Sequence, residues 1–128
     1  MSNYRNPVGD KTMIQLFLYN KCGTCRKAKK FLDDQGIAYK ETDITLTPPT
    51  KKILKQAIKE KGIRKVFNTS GVEYRERKIK DRIKDMTEKE AIGLLSESGR
   101  LVKRPIVYDG EKITVGFDEE EFNSFWAS

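Results

Sequence analysis

Cys22 and Cys25, three positions apart in the stretch NKCGTCRKAKKF (residues 20–31), are the side chains of this sequence best suited to chemistry, and they are its two cysteines. Close cysteine pairs serve as half of a zinc site, as a structural bridge, or as reactive thiols. A structural zinc site takes about four Cys or His ligands. With no histidine in the chain, such a site would need carboxylates or a second subunit. A bridge is not needed for folding, because 128 residues can bury a core of their own. A plainer reading also stands, in which Cys25 is a small apolar residue on a core-facing helix and Cys22 an incidental loop residue.

The case for reactivity begins with position. A strand followed by C-x-x-C and a helix start puts Cys22 at or just before a helix N-terminus, where unpaired backbone N–H groups and the macrodipole favour a negative sulfur. Arg26 and Lys27 add positive charge close by. Lowering a thiol from about 8.5 into the range of about 6 to 7 would convert a few per cent of thiolate at pH 7 into half or more. Cys22 is thus the expected nucleophile and Cys25, one turn on, the resolving thiol that attacks a mixed disulfide on Cys22. Gly23 is expected to let the backbone turn sharply, and Thr24 to offer a hydroxyl to the helix start.

A second motif, KRPIV (residues 103–107), carries an Arg-Pro bond. Pro105 could simply begin an edge strand. If its bond is cis, it would present backbone opposite Cys22 and let Arg104 aim a planar guanidinium at an oxyanion or a partner's carboxylate.

The elements that must hold these residues follow from periodicity. IQLFLY (14–19) is a short apolar run and predicts a buried strand; residues 24–35 place Cys25, Ala28, Phe31 and Leu32 at helical spacing, with Gly36 as the stop. A second strand ends at Ile44, with Ile37 and Tyr39 among its apolar members. Pro48 and Pro49 announce a helix whose buried stripe is Ile53, Leu54, Ala57 and Ile58, ending at Gly62. Residues 63–86 read as helical or irregular, with a turn in FNTSG. Thr87 and Glu90 form a capping box opening a helix that stops near Gly99. RPIVYDGEKITVGF reads as a hairpin turning at Asp109-Gly110, and DEEEFNSFW as a last helix with acids in its first turn and Phe122, Phe125 and Trp126 inward. The order β, α, β, several helices, hairpin, α is a thioredoxin-like α/β plan with a helical insertion between the βαβ unit and the hairpin. Residues 1–12 read as a flexible extension and 13–128 as one domain.

Apolar residues are 37% and charged residues 35%, with the apolar ones in periodic runs, which fits a soluble protein rather than a disordered one. No run approaches the ~18 apolar residues of a membrane span. A cytoplasmic location is expected, where a close cysteine pair is more often catalytic, redox-sensing or metal-binding than permanently bridged. The net charge of +7 comes from scattered basic segments with few interleaved aromatics. That pattern suits solvated helix faces, an anionic small molecule or an acidic partner better than nucleic acid.

YNKCGTCRKAKKFL, FNTSG with YRE, LVKRPIV and TVGF, in this order, make the chain from Met13 onward resemble the arsenate reductase family of thioredoxin-like proteins, the group that also contains the Spx-type transcriptional regulators. The resemblance implies a thioredoxin-like core with a helical insertion, a nucleophilic Cys22, and an anion-binding Arg104 preceding a cis Pro105. In the glutathione- and glutaredoxin-dependent members the cysteine attacks arsenate held by three arginines, and glutathione reduces the adduct. Only Arg104 is matched here. The places of the other two fall in FNTSG and TVGF, which hold no arginine, and nearby Arg75 is not a motif match. Cys25 stands where those reductases typically have serine. The C-x-x-C instead matches the Spx-type regulators, which use it as a disulfide switch and bind the RNA polymerase α subunit, whereas FNTSGVEYRE looks more like the arsenate-reductase-related branch. The expectation is a thiol-disulfide oxidoreductase acting on a small oxyanion or a thiol or disulfide. It would hold no metal or tightly bound cofactor, and glutathione, glutaredoxin or thioredoxin would donate electrons. The alternative is a redox-sensing regulator bound to RNA polymerase α.

Overall fold

A computed structural model describes residues 13–127; the expected extension, residues 1–12, lies outside the described residues. In chain order the elements are β1 (Ile14–Leu18), α1 (Gly23–Asp34), β2 (Tyr39–Asp43), α2 (Lys51–Lys61), α3 (Ile63–Val66), α4 (Val72–Glu76), α5 (Glu88–Glu97), β3 (Ile106–Tyr108), β4 (Ile113–Val115) and α6 (Glu119–Trp126). Short 3₁₀ turns occupy Ile79–Asp81, Ile83–Asp85 and Gly99–Leu101. The chain divides into two compact units. One takes in the described residues up to Thr42 together with those from Arg104 onward, and the other is Asp43–Lys103.

The first unit is built on the sheet, in the order β2-β1-β3-β4. β1 runs antiparallel to β3, with Leu16 opposite Val107, and β3 runs antiparallel to β4, with Val107 opposite Thr114. Placing β3 beside β1 brings Arg104 and Pro105, just before β3, to the same end of the sheet as the loop that follows β1. α1 exists because Cys25, Ala28 and Leu32 recur on one face, all buried, while Arg26, Lys27 and Lys30 stay in water. It ends where Gly36 adopts φ 68°, a left-handed value that costs glycine little; the Ile37 N–H then returns to the Leu32 carbonyl at 3.0 Å. Leu16, Leu18, Cys25, Ala28, Leu32, Val107, Phe122 and Trp126 share one buried cluster, with Phe31 and Phe125 packed at its margin. The hairpin turn is closed by Asp109, whose carboxylate accepts from the Glu111 and Lys112 N–H groups at 2.8 and 2.6 Å. Asp118 caps α6 by accepting from Glu121 at 3.1 Å.

The second unit is helical. Thr50 caps α2 through a 3.3 Å bond from the Ile53 N–H, and Ile53, Leu54, Ala57 and Ile58 are its buried stripe, as the spacing predicts. The Thr87–Glu90 capping box is present in both directions at the start of α5. Phe67 and Val102 form an isolated antiparallel bridge that ties the turn region to the end of the unit. Gly99 is required by contact: a Cβ there would run into the Ile44 carbonyl.

Candidate functional site

The loop between β1 and α1 is held by its own backbone. The Cys22 N–H donates to the Tyr19 carbonyl at 3.0 Å, and the Arg26 N–H to the Cys22 carbonyl at 3.1 Å, so Cys22 becomes the N-cap of α1 with extended φ and ψ. Cys25 is the third residue of the helix and only 1% exposed, whereas Cys22 is half-buried. Both are free thiols. The Tyr19 N–H donates to the Cys25 sulfur at 3.5 Å.

The site pushes the two sulfurs in opposite directions. Burial alone would push the Cys22 thiol up, but the Cys25 N–H, the Cys25 thiol and the guanidinium of Arg104 act against it. The net effect is a thiol below its ordinary value of 9.0. Cys25 is pushed up to about 12, first by burial and then by the neighbouring Cys22 sulfur, outweighing the Tyr19 N–H. Cys22 is thus the more readily ionised of the two thiols, and Cys25 is kept protonated. Arg104 supplies the cation to this pair through both a hydrogen bond and its charge. It stands before a cis peptide bond to Pro105, whose carbonyl accepts from the Gly116 N–H at 2.8 Å. The Arg104 guanidinium carbon also lies 5.1 Å from the centre of the Tyr19 ring.

Cys22, Cys25, Arg104 and Pro105 therefore come together, and three neighbours differ from expectation. Gly23 is the first residue of α1 without a positive φ, and a Cβ at that position would meet open space, so no sharp turn depends on it. Thr24 is the exposed second helical residue, and the helix start has no side chain in full capping geometry, because Cys22 has taken the cap position. Arg26 turns back to donate from Nε to the Asn20 carbonyl at 3.1 Å, which fastens the loop; the charge lowering Cys22 comes from Arg104 instead. Lys27 is exposed. Arg75 donates to the Ser70 carbonyl at 3.2 Å within the helical unit. Tyr19 is the site residue that the strand pattern hid: its place at the end of an apolar run marks it as strand, and nothing local in sequence announces a cation 85 positions later. Among the described residues no group of three or more His, Cys, Asp or Glu side chains is disposed to hold a metal.

A thioredoxin-like fold with a C-x-x-C at the first helix start and an Arg-cis-Pro ahead of β3 is the arrangement of one protein class, and the match is direct: residues 17–125 fit the ArsC family, to which this chain belongs. Among particular proteins, it is 46% identical over 116 residues to the Bacillus subtilis protein called "Uncharacterized protein YusI", covering 89% of this chain and 98% of that one. It is 30% identical over 115 residues to the global transcriptional regulator Spx of Streptococcus agalactiae, covering 88% and 82% respectively. Among solved structures, a Bacteroides fragilis protein described as ArsC family related superposes with a TM-score of 0.80 at 42% identity, over 87% of this chain and 95% of that one. A "possible arsenate reductase" from Streptococcus mutans gives 0.79 at 35% identity, over 88% and 99%.

Proposed function

We propose that this protein is a thiol-disulfide oxidoreductase that uses Cys22 as nucleophile and Cys25 as resolving thiol. The observation that carries the reading is the split between the two sulfurs, Cys22 below its ordinary value beside Arg104 and Cys25 well above its own. In the first step the Cys22 thiolate attacks one sulfur of a substrate disulfide; the S–S bond breaks, a mixed disulfide forms, and the other half leaves as thiolate. The charge and hydrogen bond by which Cys22 adds to burial in holding Cys25 high disappear with the Cys22 thiolate. Cys25 then loses its proton to solvent or to the departing thiolate and attacks the Cys22 sulfur, releasing the second half and closing a Cys22–Cys25 disulfide. Two electrons pass from the protein to the substrate, and an external thiol such as glutathione, glutaredoxin or thioredoxin restores the dithiol.

Alkylation of the reduced protein at a series of pH values tests this. One thiol, Cys22, is expected to react with an apparent pKa below 9.0, and Cys22→Ser to abolish that phase. Arg104→Gln should move the phase upward. Ordinary reactivity at both cysteines would remove the reading.

Arsenate is a different electrophile for the same Cys22 nucleophile, attacked at arsenic with loss of an oxygen as water and reduced by an external thiol, and the name borne by the Streptococcus mutans relative makes it worth testing. A coupled NADPH assay with glutathione and glutaredoxin should show turnover above a Cys22→Ser control if a single arginine suffices to hold the oxyanion. A second reading rests on the 30% identity to Spx: that the pair is a redox switch governing binding to RNA polymerase α. It requires co-purification with that subunit in one redox state, depending on Gly71, Tyr74 and Arg75.

A further inference from the structure

We propose that Tyr19 is the positioning residue of this site, its ring face holding the Arg104 guanidinium over Cys22; this rests on the oxidoreductase reading above. The guanidinium carbon lies 5.1 Å from the Tyr19 ring centre, inside the ~6 Å reach of a cation–π contact. A free arginine side chain samples many rotamers. A guanidinium resting on an aromatic face loses that freedom to the ring, and its five N–H groups remain along the edge for a sulfur or an anion. Tyr19 is itself half-buried directly after β1, so the platform is fixed by the sheet.

The backbone of the same residue serves the two cysteines. Its carbonyl accepts from the Cys22 N–H at 3.0 Å, and its N–H donates to the Cys25 sulfur at 3.5 Å. One residue therefore touches all three groups of the site. Side-chain substitution leaves both backbone contacts in place, so it isolates the ring.

The test uses the full chain with Tyr19→Phe, Tyr19→Leu and a fluorinated phenylalanine at position 19, a replacement of nearly the same shape with a depleted ring face. Two quantities are read on each: the apparent pKa of Cys22 alkylation, and the rate with an anionic aromatic disulfide relative to a neutral one. Tyr19→Phe should match the parent in both. Tyr19→Leu and the fluorinated variant should raise the apparent pKa and lose about three- to tenfold of the preference for the anionic disulfide. Combining Tyr19→Leu with Arg104→Gln should add little to Arg104→Gln alone. If Tyr19→Leu fails to fold, the comparison of phenylalanine with its fluorinated form decides alone. Equal values for those two, or independent addition of the Tyr19 and Arg104 effects, overturn the proposal. A parent protein whose Cys22 reacts with an ordinary pKa would instead overturn the oxidoreductase reading, so the two failures are distinguishable.

Discussion

Cys22 and Cys25 differ by one helical turn, and that turn separates a half-exposed N-cap from a residue 1% exposed in the core. The consequence for stability has a definite sign. A thiol whose folded pKa is depressed gives stability that is full above the unfolded value and lost as pH falls through the folded one; a thiol whose pKa is raised gives stability that is full below the unfolded value and lost as pH rises through the folded one. Cys22 therefore favours folding increasingly as pH rises toward 9.0, and Cys25 withdraws stability between 9.0 and about 12. Urea denaturation of the reduced protein should show the contribution of the pair peaking near pH 9, and Cys25→Ser should remove the falling limb. At the neighbouring position Gly23→Ala is expected to be tolerated, with a gain of up to about 0.5 kcal/mol from reduced freedom of the unfolded chain. A thermal melt checks that, and unchanged Cys22 alkylation would show that Gly23 plays no part in activation.

At the scale of elements, the helices were the most legible part of the sequence because their signals are local. The Thr87–Glu90 box, the acidic first turn of α6 and the Gly36 stop each involve residues within four positions of one another, and each is found as expected. Thr24 misled for an instructive reason: a hydroxyl near a helix start suggests a cap, but the cap falls to whichever residue has extended backbone just before the first turn, and here that is Cys22. By sequence, Gly99 marks only the end of a helix. Its real constraint is the Ile44 carbonyl, more than fifty positions away in sequence, which leaves no room for a side chain. Gly99→Ala should accordingly destabilise the protein by roughly 3 kcal/mol through overpacking, measured by chemical denaturation.

For the whole molecule, charge and chemistry are divided between the two units. Asp43–Lys103 holds 16 Lys and Arg against 9 Asp and Glu, and so carries the entire net charge of +7, while the remainder of the chain is balanced at 10 against 10. The cysteines and Arg104 lie in the balanced unit, so the cation that matters to Cys22 acts by proximity rather than through overall charge. That unit also contains Trp126, the single tryptophan, in the same buried cluster as Cys25. Closing the Cys22–Cys25 disulfide should therefore change Trp126 emission, and a Cys22→Ser variant treated with the same oxidant should not change.

By itself the sequence determined the strand–loop–helix setting of C-x-x-C, the Arg-Pro bond ahead of the hairpin, the approximate limits of α1, α2, α5 and α6 and the family, because these depend on neighbours in the chain or on motifs in order; residues 63–86, read only as helical or irregular, took their bounds from the structure. Tertiary structure alone decided which cation reaches Cys22. Arg26 is four residues away yet turns to the Asn20 carbonyl, while Arg104, 82 residues away, is delivered by the pairing of β3 with β1 and lies against the Tyr19 ring. Electrostatic and cation–π contacts fall off with distance in space, and separation along the chain does not measure that distance.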